Sequence, residues 1–450
     1  MEKASRLVME ALDFEFRDVE GFTCCPEKSV VLADSEEVWR LTAARNLSVA
    51  EAEGVDLFSP CNGCVGSLKC THQELAADSR LRRETNAGLE RVGRHYGGTV
   101  NVVHWVDVLH DKIGVGAIGK RVTHPLTGMR LAVHAGCHQA RPSRELQRER
   151  PLDPTKFESI VRAVGAQTLD YETKLLCCGG TLNTYGRPDE AMHLTRRKLR
   201  NLMEIGADCL TTTCPACVMQ YDAAQMLMQR AGEEISLPVL YLGELLGLAF
   251  GLEEQLQPGF DQHRISVAPF LAKWQKLREG RDEAYERFDL PTIETCLRCR
   301  ACGDICAPHL TDPNFDPHAL LEKVRDGHLE EAIADPHVWT CTECYECVER
   351  CFQNFGMLKA LRELKQLSME RGTAPAAVKA GVEAFRKTGA LTKAAKGPRQ
   401  KLGLPEPPEG GVKELRKLLR DREKGEPTEP QVHLDLNGKG VGAVTRPRRG

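Results

Sequence analysis

Thr23-Cys24-Cys25-Pro26-Glu27 followed by Cys61-Asn62-Gly63-Cys64, and Leu176-Cys177-Cys178-Gly179-Gly180 followed by Cys214-Pro215-Ala216-Cys217, are two copies of one pattern. The spacing from Cys25 to Cys61 equals that from Cys178 to Cys214, and the copies are offset by 153. Between the paired cysteines and the CxxC, Arg40 to Gly54 and His193 to Gly206 carry helical periodicity and end in glycine. The segments DLFSP and DCLTTT that follow are short and extended. After each CxxC comes a polar helical stretch, then an apolar strand running into a helix: VNVVHWVDVLH in the first copy, PVLYLGELLGLAF in the second. The strand Leu131–His134 leads directly to Cys137. Strands alternating with helices imply a helix-flanked sheet with its ligands on loops at strand ends. The expected fold is therefore an α/β pair of lobes related by a pseudo-two-fold repeat.

Working outward, the 450-residue chain divides into a first lobe (1–125), a second lobe (126–255), a charged helical connector (256–290), a compact Cys-rich, mainly α-helical domain (291–370) and a tail (371–450). In the tail KGPRQK, PEPPEGG and GEPTEPQ mark a largely extended or disordered composition, with Val412 to Arg420 as one helix candidate. Hydrophobic residues are 41% and charged residues 28%, the balance of a globular protein. A net charge of −3 and only 5% aromatics argue against a polyanion field or a base-stacking platform. The longest apolar stretch, Pro238 to Leu252, includes Glu244 and falls short of the length needed to span a bilayer. No basic start followed by an apolar run stands at the N-terminus, so a cytoplasmic protein is expected.

Nineteen cysteines in such a chain point to metal ligation more than to disulfides. Cys296-x2-Cys299-x2-Cys302-x3-Cys306 and Cys341-x2-Cys344-x2-Cys347-x3-Cys351 both match the run in which three thiolates grip one 4Fe–4S cube and the fourth crosses to its neighbour. Cys296, Cys299, Cys302 and Cys351 are thus expected on one cube, and Cys341, Cys344, Cys347 and Cys306 on the other. Zinc knuckles need two CxxC pairs across a longer spacer, a spacing absent here. Ala307 and Phe352 replace the usual proline after each run, which alters a turn and no ligand.

In the second lobe Cys137, Cys177, Cys178, Cys214 and Cys217 supply five thiols from three loops, one more than a cube takes. Adjacent cysteines point in different directions, which suggests a bridging thiolate or a larger cluster, with Gly179 and Gly180 giving the loop its backbone freedom. A four-Cys zinc site using part of the set and a vicinal disulfide at Cys177–Cys178 stay open as alternatives.

With TCCP, CNGC, HAGCHQARPS, LLCCGG and TCPAC in place, residues 20–255 resemble the B subunit of CoB–CoM heterodisulfide reductase, and 291–370 resemble its C subunit. The resemblance implies a B–C fusion. It implies noncubane iron–sulfur clusters in the two lobes, held by Cys24, Cys25, Cys61 and Cys64 and by the second-lobe five. It also implies a disulfide split between them, or thiols oxidised there, two 4Fe–4S cubes, and a flavin-containing subunit of the A type as electron donor. Splitting RS–SR′ takes two electrons, whereas a cube passes one at a time. One departure stands out: Cys137 has no counterpart in the first copy, whose equivalent position falls before Met1, so the first-lobe cluster is incomplete, differently ligated or absent, or the chain starts late. Cys70 is a possible substitute, although a structural thiol is the better reading for it and for Cys209. The runner-up function is a non-catalytic electron-transfer subunit of a flavoprotein dehydrogenase or quinone-linked complex.

Other signals are weaker. Gly114-x-Gly116-x2-Gly119 matches a dinucleotide fingerprint in letters but follows a helix-like stretch. His134 and His138 flank Cys137; histidines so placed more often hydrogen-bond the backbone, and the catalytic alternative, carried by His138, is proton donation to a leaving thiolate. Arg141, Arg144, Arg148 and Arg150 read as a solvated helix face.

Overall fold

The computed structural model describes residues 1–403 except 27, 354–355 and 392–395, together with positions 412, 414, 415 and 418. Most of the tail, including most of the helix candidate Val412 to Arg420, lies outside the described residues. No described helix is long and apolar enough to cross a membrane.

The first lobe runs α1 (Glu2–Ala11), α2 (Glu36–Ala52), β1 (Leu57–Ser59), α3 (Asn62–Ala77), α4 (Ser79–Leu89), β2 (Val102–His104), α5 (Trp105–Asp107, continued by a wide turn to Gly114) and α6 (Val115–Arg121). Helix α2 starts at Glu36, ahead of the expected Arg40. Ser35 Oγ accepts from Val38 N at 3.2 Å. Glu36 and Glu37 sit in the positive first turn. Strands β1 and β2 are parallel, as a helical crossover requires, with Leu57 beside Val102.

The second lobe runs β3 (Arg130–Val133), α7 (Ser143–Leu146), α8 (Lys156–Ala163), β4 (Gln167–Thr168), α9 (Gly180–Thr184), α10 (Pro188–Glu204), β5 (Cys209–Thr212), α11 (Pro215–Arg230), β6 (Val239–Tyr241) and α12 (Leu242–Ala249). Its sheet is all parallel in the order β4-β3-β5-β6. Pro188 opens α10, where its missing N–H costs nothing and its fixed φ already suits a helix.

Each lobe packs a core of its own, around Ala44, Leu47, Val65 and Val102 in the first and Leu199, Leu210, Tyr221 and Val239 in the second. A third core joins them, formed by Val8 and Met9 of α1, Trp105, Leu131, Phe157, Leu240 and Leu246. The connector is α13 (Glu253–Phe260) and α14 (Ala268–Arg287). It is not a free spacer, because Phe270, Trp274 and Leu277 of α14 are buried in the joint core. Further along, Ala284 belongs to the core of the Cys-rich domain. That domain is helical: α15 (Leu290–Cys299), α16 (Ala307–Thr311), α17 (Pro317–Arg325), α18 (Leu329–Ala334), α19 (Glu346–Glu349) and α20 (Met357–Glu370). Helices α21 (Ala376–Thr388) and α22 (Lys396–Lys401) follow.

Gly114 ends the wide turn at φ +88° and the other two glycines of its fingerprint lie in α6. A Cβ on Gly119 would meet Ala163 O at 3.4 Å, so that glycine serves the packing of α6 on α8.

Candidate metal centre

Both CxxC motifs occupy a strand-to-helix junction. Cys61 stands just before α3 and Cys64 in its first turn; Cys214 stands just before α11 and Cys217 in its first turn. Helix N-termini carry partial positive charge and unpaired N–H groups, which favour thiolate over thiol. The CC pairs approach these junctions on loops. Gly179 N donates to Cys177 Sγ and Gly180 N to Cys178 Sγ, each at 3.4 Å. Of the two glycines only Gly179 is left-handed, at φ +92°, and a Cβ there would lie 2.7 Å from Ala191 O. Gly180 has ordinary helical backbone and opens α9.

The result is a continuous file of nine thiols. Cys24 bonds Cys25, whose Sγ is 2.9 Å from Cys64 Sγ. Cys64 bonds Cys61, and Cys61 bonds Cys214 across the boundary between lobes. Cys214 bonds Cys217, which lies 3.5 Å from Cys178 Sγ. Cys178 bonds Cys177, and Cys177 bonds Cys137. Cys61, accepting from Cys214 and Cys64, is pushed down to about 2, as is Cys177, accepting from Cys137 and Cys178. Their neighbours Cys64, bonded to Cys25 and Cys61, and Cys137, bonded to Cys177, are held far above the usual thiol range.

Asn62, inside CNGC, ties the lobes together. Its Nδ2 donates to Ala135 O at 2.7 Å and its Oδ1 accepts from Thr213 Oγ1 at 3.2 Å. Gly136 makes room for it: at φ +82°, a Cβ there would lie 2.5 Å from Asn62 Nδ2. His138 packs on α3, where a Cβ on Gly66 would come within 3.5 Å of its Cβ, so it stands at the same boundary.

Behind the second-lobe thiols lies a buried polar group. Lys198 Nζ donates to Lys174 O at 3.0 Å and lies 3.1 Å from His134 Nδ1. Burial pushes its amine down to about 7 and, with the Lys198 charge, keeps His134 neutral. Tyr221 meets the His134 ring edge-on at 5.3 Å. In sequence the TRRKLR run around Lys198 reads as a polar helix face. The signal it offers is that Ala191, Thr195, Lys198 and Leu202 form the buried stripe of α10 at helical spacing.

Two other expectations resolve here. Arg148 is not on a solvated face: its side chain is 1% exposed and paired with Asp107. Cys70 is buried beside Trp39 and Leu146, and Cys209 in the joint core, so both are structural thiols.

In the Cys-rich domain burial first, then the charges of Cys302, Cys351 and Cys299, push Cys296 up to about 12. Cys306 is raised by burial and has Cys341 and Cys344 as its thiol neighbours. Cys351 thus lies near Cys296, and Cys306 lies near Cys341 and Cys344 as well as near Cys302 of its own run. Arg300, Glu343 and Tyr345, all within the runs, take left-handed backbone that curls the loops. An apolar cavity is lined by Cys302, Cys306, Cys341, Cys344 and Cys347. Among the described residues no group of three His, Cys, Asp or Glu side chains forms a single-ion cage. Soft thiols lined up along two lobes and curled in two runs suit polynuclear iron–sulfur groups.

Residues 1–69 and 131–222 match the cysteine-rich CCG domain, and 295–356 match a 4Fe-4S dicluster domain. Fold and thiols together define an iron–sulfur oxidoreductase subunit of the CCG type. The chain is 34% identical over 282 residues to the B subunit of a ferredoxin/F420H2-dependent CoB–CoM heterodisulfide reductase of Methanosarcina acetivorans, spanning 62% of this chain and 93% of that protein. It is 32% identical over 251 residues to an 8-methylmenaquinol:fumarate reductase membrane anchor subunit of Wolinella succinogenes, spanning 56% and 86%. The iron–sulfur C subunit of a CoB–CoM heterodisulfide reductase of Methanopyrus kandleri is 24% identical over 158 residues, 33% of this chain and 82% of that protein. The chain belongs to the family of heterodisulfide reductase B subunits and carries a domain like the C subunit in the same polypeptide.

Proposed function

We propose that this chain is the disulfide-handling subunit of a larger reductase, converting RS–SR′, two electrons and two protons into two thiols, or running the reverse. The observation that carries this is the contact of Cys61 with Cys214, which makes one site of two lobes. Cys137, Cys177, Cys178, Cys214 and Cys217 would hold a noncubane cluster, and Cys24, Cys25, Cys61 and Cys64 a second one. Cys296, Cys299, Cys302 and Cys351, and Cys306, Cys341, Cys344 and Cys347, would hold two 4Fe–4S cubes. When bound, these groups store and pass single electrons, which a two-electron bond cleavage needs in pairs. The protein's own part is to hold a sulfur substrate against the lobe boundary. Asn62 fixes the two halves of that boundary, and His138, beside Cys137, delivers the proton that a departing thiolate takes up. Neutral His134 and Lys198 form its buried floor. The domain limits 1–125, 126–255, 256–290, 291–370 and 371–450, the pseudo-two-fold relation of the lobes, a flavin-containing donor of the A-subunit type and a cytoplasmic setting belong to this reading.

Anaerobic purification tests it. Iron and acid-labile sulfide must accompany the chain, and a thiol added to the oxidised protein must alter its paramagnetic spectrum. A colourless, iron-free chain overturns the reading. The relationship to a menaquinol:fumarate reductase subunit favours a second reading, a relay that passes electrons onward without touching a disulfide. Reduction by a flavoprotein with a spectrum indifferent to thiols would select it.

A further inference from the structure

Each cysteine run of the helical domain is followed by a helix whose opening faces a thiol of that run. After the first run, Asp316 precedes α17, Pro317 is its first residue and His318 its second. After the second, Gly356 precedes α20, Met357 is its first residue and Leu358 its second. Cys302 and Cys347, the third cysteines of the two runs, correspond by spacing. Cys347 accepts from the backbone N–H of Leu358. The first N–H groups of a helix have no partner within it, so one is available to a sulfur there.

At Cys302 the corresponding donor is already taken. Asp316 Oδ1 accepts from His318 N at 2.8 Å, a capping bond that Gly356 has no side chain to make. The His318 side chain stands in for the lost amide: its Nε2 lies 3.7 Å from Cys302 Sγ. The residue is 2% exposed, so water does not compete for the ring. The run passes close against the imidazole at Gly303, where a Cβ would meet ring Cε1 at 3.3 Å and Nδ1 at 3.4 Å. Nδ1 is 3.5 Å from Asp316 Oδ1, outside the usual N–H···O range. The other carboxylate oxygen of Asp316 pairs with Arg300 at 2.9 Å. A thiolate on iron has no proton to give and can only accept, so the hydrogen between ring and sulfur belongs to Nε2.

We propose that His318 is a positioning residue that acts through Cys302: its Nε2–H donates to the Cys302 sulfur and raises the reduction potential of the cube assigned to Cys296, Cys299, Cys302 and Cys351. The proposal rests on the cube reading above. Reduction adds negative charge to a cube, and part of that charge lies on the ligating sulfurs. A hydrogen bond to such a sulfur is therefore stronger in the reduced state than in the oxidised one. At the other cube the matching sulfur has a backbone donor and no side chain in this role, so replacing His318 acts on one cube alone. A raised potential favours holding an electron on that cube, and chemistry that uses electrons in pairs needs a place for the first to wait.

The test is a potentiometric titration of the full-length chain under anaerobic conditions, read by the paramagnetic signals of its reduced cubes. His318→Leu removes the donor, whereas His318→Gln keeps an N–H near the place of Nε2. In the leucine variant the ratio of reduced to oxidised cube at a fixed potential should fall roughly tenfold, a downward shift of about 59 mV for one electron. The glutamine variant should recover most of that shift. The other cube, the one whose signal Cys302→Ser leaves alone, should stay in place. Unmoved midpoints in the leucine variant, equal movement of both cubes, or a glutamine variant that moves as far as the leucine one overturns the proposal. If the leucine variant does not hold its iron, the unsubstituted chain decides. With histidine labelled by ¹⁵N in the ring alone, one imidazole nitrogen should couple to the electron spin of one reduced cube, and no coupling overturns the proposal. An unsubstituted chain without cubes overturns the cube reading and the proposal with it. Two cubes with midpoints indifferent to His318 overturn the proposal alone.

Discussion

Replacing Asp107 by alanine tests how the lobes are held in register. Asp107 follows the Trp105 core anchor at the start of α5 in the first lobe. Its carboxylate pairs with Arg148, and at 3.1 Å with Lys156, both from the second lobe. The Arg148 side chain is 1% exposed, its Nη1 donates to Gln139 O, and its Nη2 has no hydrogen-bond partner. Removing Asp107 therefore strands a buried guanidinium, at a cost of about 3–5 kcal/mol, because desolvation of the cation is no longer offset. For a unit of about 250 residues that corresponds to a melting point lower by about 6–20 °C. The double variant Asp107→Ala/Arg148→Met removes both charges and should recover most of the loss. Burial by itself would raise the Asp107 carboxyl, but the bond and charge of Arg148 and the charge of Lys156 carry it below 3.8. A lowered carboxyl contributes stability that is complete above its unfolded value and is lost as pH falls through the folded one. The parent should accordingly weaken below about pH 4 by an increment missing from the variant. Anaerobic urea denaturation, followed by the fluorescence of buried Trp39 and Trp105, reads both effects. A single variant within about 0.5 kcal/mol of the parent, the span of an inconsequential surface change, refutes the argument. So does a double variant no better than the single.

Three further outcomes follow from the same geometry. Gly136→Ala forces a left-handed alanine against Asn62 at 2.5 Å, so it should destabilise the protein by about 2 kcal/mol or more and lower its iron content, seen by melting and metal analysis. With the proposed cubes in place, Cys351→Ser should disturb the spectrum of the one assigned to Cys296, Cys299 and Cys302, and Cys306→Ser that of the one assigned to Cys341, Cys344 and Cys347. Equal disturbance of both clusters by either variant would contradict the exchange of fourth ligands. Lys198→Met loses bonds to Lys174 O and His134 but also removes a buried amine, so chemical denaturation should show a change below about 1.5 kcal/mol, far less than that of Asp107→Ala.

The strands and helices that carry the thiols were legible because each is local. Asp56–Pro60 and Asp208–Thr213 announce strands by composition, and the CxxC after each opens a helix. The approach of Cys137 to Cys177 was legible too, since a strand running straight into a cysteine fixes where its thiol goes. What escaped is whatever depends on the partner lobe. Asn62 looks like a turn residue in CNGC until Ala135 and Thr213 are seen across from it. Arg148 lies in an arginine-rich run that reads as a solvated face until Asp107 arrives from the other lobe.

The repeat explains why the two halves of the file are not equivalent. Two strand-to-helix junctions set face to face aim two positive helix ends, those of α3 and α11, at one place, and anionic sulfur is favoured between them. On the second-lobe side Cys178, Cys214 and Cys217 are buried, Cys137 and Cys177 are half-buried, and β5 is paired on both of its edges. On the first-lobe side Cys24 is exposed, Cys25, Cys61 and Cys64 are half-buried, and the sheet has a free edge. A centre that must exchange sulfur with its surroundings needs one wall of each kind. Under the proposed function the second lobe would retain its ligands while the first admits substrate, and thiol alkylation in the absence of substrate should modify Cys24 ahead of any second-lobe cysteine.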